Sequence, residues 1–298
     1  MSIDAERIHK PIRKLRQILK KLPKRPSSKK IHDLRTNARR FEATVEALGF
    51  GRSKNEKKLL RRLARLRKCA GKVRDMDVLI GYALTTNVDG EQDCLMHVLE
   101  TLAANRRRNV RRLRALDAGI GPRLRRRLKR SKSKLTKSLQ DTQKQSSDSS
   151  PDPPAEALAR AIRLAGELKK PPRLNKPNLH PYRLKVKDLR YILQLAPDAD
   201  QREFVNKLGE VKDAIGEWHD WEELCVIADD VRHHGAKCKL LPKLRSIADT
   251  KYSNAIALAN NLRRAFLESK ALTRARSRTR NRPPIRPTVL AATAALTN

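Results

Sequence analysis

Aromatic residues make up only 3% of this 298-residue chain. Base-stacking platforms of the kind that hold single-stranded nucleic acid are therefore scarce, and no helix-turn-helix or RNA-binding signature stands in for them. Cysteine is equally thin. Cys69, Cys94, Cys225 and Cys238 are widely scattered and form no C-x-x-C pair, which fits neither a disulfide framework nor a zinc knuckle. A reducing cytoplasm is the simpler setting. No run approaches the roughly 20 apolar residues that span a bilayer, and the stretch MSIDAERIHKPIRKLRQIL lacks the apolar h-region of a signal peptide. A soluble, cytoplasmic protein without membrane insertion is expected. No P-loop, paired metal-binding carboxylates or nucleophile constellation is visible, so neither catalysis nor a cofactor is expected. Nothing alternates with period 2 for long enough to suggest a sheet, which leaves an all-α fold.

Acidic residues are also the minority: 32, against 69 Lys plus Arg, for a formal charge of +37 and a pI near 10.9. Self-repulsion at that charge opposes compaction unless a polyanion neutralises it. Nucleic acid, polyphosphate and an anionic membrane surface are the candidate partners.

What is present is a pattern written twice. His32, Arg35 and Arg39 stand in IHDLRTNARRFEATVEAL, and His180, Arg183 and Lys187 in LHPYRLKVKDLRYILQLA. At about 100° per residue, positions 0, +3 and +7 of a helix fall within an arc of roughly 60°. Ile31, Leu34, Ala38, Phe41, Val45 and Leu48 recur in step with Leu179, Tyr182, Val186, Leu189, Leu193 and Ala196, forming the adjacent stripe that a globular helix buries. Each copy is a core helix with a cationic shoulder. A second block follows each one: LARLRKCAGKVRDMDVL aligns without gaps on LGEVKDAIGEWHDWEEL, pairing Arg67 with Lys212, Gly71 with Gly216, Arg74 with His219 and Asp75 with Asp220. From histidine to glycine the first copy spans 39 residues and the second 36, a difference that one loop absorbs. The repetition reads as a duplicated helical unit.

Apolar periodicity predicts helices from Ile8 to Leu22, from about 28 to 48, over 55–84, over 92–117 and 121–140 with a break at Gly119 to Pro122, then over 155–170, 180–196, 201–232 and 240–270. Residues 1–142 form a first helical half and 155–270 a second. QKQSSDSSPDPP, within 143–154, reads as a flexible linker. RARSRTRNRPPIRP lies in a basic tail, 271–298, expected to be disordered.

The paired H-x-x-R-x-x-x-[RK] helices, each followed by a G-x-x-[RH]-D block, resemble the CHAD family, named for its histidine α-helical domain. The match covers roughly residues 5 to 270. The resemblance implies two similar helical bundles related by a pseudo-twofold, with basic residues lining a central groove that binds inorganic polyphosphate and no catalytic activity. Carried over residue by residue, the binding set is His32, Arg35, Arg39 and Arg40 with His180, Arg183, Lys187 and Arg190, joined by Arg67, Arg74, Lys212 and His219 from the glycine blocks. Association with polyphosphate granules follows as one cellular setting. A sequence-nonspecific DNA- or RNA-binding protein is the alternative that the charge alone supports.

Several residues keep more than one reading. His32 and His180 fit polyanion donors or helix residues at a core edge better than metal ligands, because surrounding cations repel a metal ion. Glycine inside a helix costs about 1 kcal/mol relative to alanine, so Gly71 and Gly216 point either to a close helix crossing or to backbone approach by a phosphate chain. Asp75 and Asp220 fit the orienting of arginine or histidine side chains better than acid/base work. Glu42 stands where the second copy has Arg190; it weakens the first half's grip or pairs with a neighbouring arginine. Arg107, Arg111 and Arg114 share enough of one face to extend a groove. Trp218, matched by Val73, is expected to pack in the core, as is Trp221.

Overall fold

The computed structural model describes residues 5–50, 53–144, 153–195, 199–231 and 238–267. Eight α-helices account for nearly all of them: α1 (Ala5–Lys20), α2 (Ser28–Ala47), α3 (Lys54–Thr85), α4 (Gln92–Lys144), α5 (Pro153–Lys169), α6 (Lys176–Leu193), α7 (Arg202–Asp230) and α8 (Leu240–Leu262). There is no strand among the described residues, as the missing period-2 pattern anticipates.

Local chemistry sets the ends of the site-bearing helices. Ser27 Oγ accepts the Lys30 N–H to start α2, and Gly49, at φ 65°, takes the left-handed turn that ends it. Ser53 and Glu56 form a reciprocal capping box on α3. Asn175 and Asn178 do the same for α6, so that helix opens at Lys176, ahead of the histidine at which sequence periodicity places its start.

Three apolar clusters hold the helices. One joins α1, α2, α3 and α4 through Ile12, Leu15, Leu34, Phe41, Leu63 and Leu113. A second joins α5, α6, α7 and α8 through Leu168, Val186, Leu189, Ile215 and Trp218. The third is shared: Met76 and Leu79 of α3 and Leu102 of α4 pack with Trp221 and Leu224 of α7 and Leu240 of α8. Trp221 stacks on Tyr82 with ring centroids 4.7 Å apart. Both tryptophans are therefore core residues, as the repeat alignment predicts for Trp218.

The expected break at Gly119 to Pro122 does not occur. α4 runs unbroken through Pro122 to Lys144, a rod of about 80 Å at 1.5 Å per residue. Leu113, Leu124, Leu128 and Leu135 are buried in register on both sides of the proline, so core packing outweighs one lost backbone hydrogen bond. Of the expected linker, the ends are helical, since α4 reaches Lys144 and α5 begins at Pro153; residues 145–152 lie outside the described residues. α8 ends at Leu262 and passes into a π turn, Arg263–Leu267. The basic tail lies outside the described residues.

Candidate functional site

Burial of Ile31, Leu34, Ala38, Phe41 and Val45 fixes α2 about its axis, and burial of Leu179, Tyr182, Val186, Leu189 and Leu193 fixes α6. That leaves the cationic shoulders beside the core. α2 packs against α6, and α3 against α7, so the shoulders meet at a junction between the two four-helix units. Arg39 crosses it, donating to Asp188 at 3.0 Å. The rings of His180 and His219 lie 4.8 Å apart.

Lys187 records the crowding. Burial, then the charges of Arg183, Arg39 and Arg35, pull its ammonium down from 10.5 to about 7, and Asp188 opposes them only in part. The histidines respond alike. Burial lowers His32, and Arg74, Arg35 and Lys212 add to it; a lysine of α7 thus acts on the histidine of α2. Burial, His219, Arg183 and Lys187 lower His180, while burial and Arg183 lower His219 against the pull of Asp75 and Glu222. The structure therefore brings together His32, Arg35, Arg39, Arg74, His180, Arg183, Lys187, Lys212 and His219, as one interacting set drawn from both halves.

The two glycines share a kind of neighbour that neither sequence reading supplies. At Gly71 the space a Cβ would take lies 3.5 Å from Arg35 Nε. At Gly216 a Cβ would overlap the Arg183 guanidinium, with Cζ at 2.9 Å. In each half the arginine three residues after the histidine lies across the glycine of the next block. Arg183 Nε there donates to the Lys212 carbonyl at 3.0 Å. At Gly216 the missing side chain makes room for the guanidinium, whereas at Gly71 a Cβ would meet Arg35 in ordinary contact.

Asp75 and Asp220 complete that arrangement. Arg35 is the opposing charge that acts most strongly on Asp75, and Arg183 on Asp220. Burial still raises both carboxyls, Asp220 to about 6.

The remaining expected residues are placed less centrally. Arg67 Nε donates to Glu42 Oε2 at 2.6 Å, which settles Glu42 as an arginine partner. Arg190 turns to the Val205 carbonyl, 3.2 Å away, and lies against Gly209. Arg40 is exposed and acts with Arg39, Arg190 and Arg35 on Tyr191, whose phenol burial raises. Arg74 donates to Ser28 Oγ at 2.7 Å. Arg107, Arg111 and Arg114 are exposed, and it is Arg108 and Arg112, with Lys72, Asp75 and Glu223, that line a cleft of about 280 Å³ between α3, α4 and α7. A second cleft, about 370 Å³, lies between α2, α3 and α6, lined by Arg39, Arg61 and Arg67 but also by Glu42, Glu46 and Asp188. Asp188 and Tyr191 escaped the sequence reading. Their only signal was position, one beside Lys187 and the other beside Arg190.

An all-α protein in which two helical units share one cationic junction is the class that fold and site define. The CHAD domain family model matches residues 8–226, most of the chain, and the chain belongs to that family. Polyphosphate binding is a known role of the family, which supports a polyphosphate-associated role here. Among solved structures, the chain is similar to the CHAD domain from the plant Ricinus communis, at 14% identity and a TM-score of 0.55, over 87% of this chain and 86% of that one. It is also similar to PptA from Streptomyces chartreusis, at 13% identity and a TM-score of 0.55, over 89% of this chain and 98% of that one. Those likenesses bear on the fold. A comparison with curated proteins returns no match. Among the described residues, no helix is long and apolar enough to cross a membrane.

Proposed function

We propose that this CHAD chain binds inorganic polyphosphate without transforming it, in a basic groove at the junction of α2, α3, α6 and α7. The two halves are copies of a duplicated unit related by a pseudo-twofold, and the groove follows their contact. The observation that carries the reading is the convergence of Arg183, Arg39 and Arg35 on a buried Lys187, where burial first and those three charges after it bring an ammonium to about 7. A flexible chain of phosphates relieves that repulsion along its whole length, and guanidinium forks bind its oxygens bidentately. Binding without chemistry fits the acidic residues too, since Asp75 and Asp220 face Arg35 and Arg183, which compete with a metal ion for their oxygens. Both tryptophans are buried and offer no stacking surface to bases, which favours polyphosphate over nucleic acid. The setting we propose is the cytoplasm, at polyphosphate granules.

Competition binding tests the reading. Labelled long-chain polyphosphate on the full chain should resist displacement by duplex DNA and single-stranded RNA at equal phosphate concentration and near-physiological salt. Its affinity should fall steeply with salt as counterions are released. Charge reversal at Arg35, Arg39, Arg183 and Lys187 together should abolish binding with helicity intact. Displacement by DNA at equal concentration, or equal loss on neutralising only the arginines of 271–298, would sink it.

A further inference from the structure

The polyphosphate reading leaves the cysteines unused, and the fold brings two of them together across 144 residues of chain. Cys94 lies in the first turn of α4, and Cys238 lies two residues before α8. Their sulfurs are 3.7 Å apart. Glu91, one residue before α4, reaches the same point: its Oε1 accepts the Lys239 N–H at 2.7 Å. A carboxylate oxygen of Glu91 and both sulfurs lie within 4.8 Å of one another, all half-buried.

We propose that Glu91, Cys94 and Cys238 bind a thiophilic divalent cation of the zinc class, fastening the start of α4 to the lead-in of α8. The sulfur separation is the first support. With Zn–S bonds of about 2.3 Å, the edge of a tetrahedron between two sulfurs is about 3.8 Å, close to the 3.7 Å observed. A disulfide brings sulfurs to about 2.05 Å, whereas these free thiols stand in contact with Cys238 donating to Cys94 at 3.7 Å, a spacing that one shared ion takes up without moving them. The ligand chemistry is the second. Magnesium and calcium take oxygen ligands, whereas two thiols with a carboxylate suit zinc or its substitute cobalt. At +37 the field of the whole chain repels cations. Two cysteines that give up their protons on binding, with Glu91, place three negative charges around one ion and overcome that field locally. Three protein ligands leave a fourth position for water.

The location defines what the ion does. Val98 of α4 and Leu240 and Leu244 of α8 belong to the apolar cluster shared by the two halves, and the three ligands stand at that cluster's edge. The ion closes a long loop across it, which restricts the unfolded chain more than the folded one.

Cobalt titration of the reduced full chain, free of polyphosphate, tests the site. One cobalt per chain should bind with thiolate charge-transfer absorption and tetrahedral ligand-field bands, and zinc should displace it. Cys94→Ser and Cys238→Ser should each weaken binding about 100-fold or more, and Glu91→Gln about tenfold with the thiolate band retained; removing even an outer-shell partner costs roughly 10- to 100-fold. Absence of the thiolate band in the native chain, or unchanged cobalt affinity in either serine variant, overturns the proposal. Alkylation of the native chain gives the same decision without any substitution. Zinc should shield Cys94 and Cys238 and leave Cys69 and Cys225 reactive, whereas equal labelling of all four overturns the assignment.

Discussion

The two halves of the junction hold their cations by different means. In the first, carboxylates do much of the holding: Glu42 takes Arg67 at 2.6 Å and Asp188 takes Arg39 at 3.0 Å. In the second, backbone carbonyls hold the arginines, while Asp213 pairs with Lys212 and Asp220 acts on Arg183 as an opposing charge. Arg183 donates to the Lys212 carbonyl and Arg190 to the Val205 carbonyl. A carboxylate partner cancels the charge it positions, whereas a carbonyl fixes a guanidinium and leaves its net charge for a ligand. The cleft that contains Arg39 and Arg67 is lined by three carboxylates as well. Two copies of one helical pattern thus pair their arginines unequally, with direct carboxylate partners in the first and carbonyls in the second, and the second half should dominate polyanion binding.

The largest test of that inequality is a pair of double substitutions. Arg183→Gln with Lys187→Gln should weaken polyphosphate binding about 100-fold, because each charged hydrogen bond contributes about 1.5–3 kcal/mol and 1.4 kcal/mol is tenfold. Arg35→Gln with Arg39→Gln should cost about tenfold, since Arg39 already spends its charge on Asp188. Affinities by titration calorimetry, with circular dichroism as the check on folding, decide the matter. Equal losses would break the comparison and return the two halves to equivalence.

Proton linkage at Lys187 gives the next effect in size. In the free protein this ammonium titrates at about 7, and bound phosphates raise it by offsetting Arg183, Arg39 and Arg35. Binding therefore takes up a proton above about pH 7, and affinity falls as pH rises, by about tenfold between roughly pH 7 and pH 9. The lowered histidines add in the same direction below their ordinary 6.5. Fold stability runs the other way. The folded chain holds fewer protons at Lys187 than the unfolded chain between about 7 and 10.5, so stability without ligand rises with pH across that window. Lys187→Met should flatten the alkaline limb of the binding profile and raise the melting temperature of the free protein by about 2–4 °C. A pH-independent affinity with no proton uptake in buffers of differing ionisation enthalpy would remove Lys187 from the site.

Much of this arrangement was legible before any coordinates, and the gaps have physical causes. The stripe from Ile31 to Val45 and its match on α6 showed which flank of each helix carries the cations beside the core, because burial of one face determines the other. Partners could not be read the same way. Glu42 stood out as a departure from the repeat, yet Arg67, 25 residues away, is a neighbour only once α2 and α3 pack. Gly71 and Gly216 were visible as costly residues in helices, but their occupants, Arg35 and Arg183, come from another helix. At Pro122 a local breaker misled, since the leucines on either side continue in helical register into one core. Cys94 and Cys238, remote in sequence, meet only because both halves share the third apolar cluster.

The smallest effect probes the glycines themselves. Alanine at Gly71 meets Arg35 Nε at an ordinary 3.5 Å, so Gly71→Ala should keep polyphosphate affinity within about twofold and stabilise the fold by about 1 kcal/mol through helix propensity. Alanine at Gly216 cannot coexist with the present Arg183 position, where Cζ would stand at 2.9 Å. The guanidinium must swing away and lose its bond to the Lys212 carbonyl, and affinity should fall about five- to tenfold, the equivalent of about 1–1.5 kcal/mol. The same propensity gain at 216 is then offset in the melting temperature by the displaced arginine. Paired binding and melting curves for the two variants separate the outcomes. If Gly216→Ala binds like Gly71→Ala, then Arg183 grips polyphosphate from more than one position, and its seat across Gly216 is not what sets the second half apart.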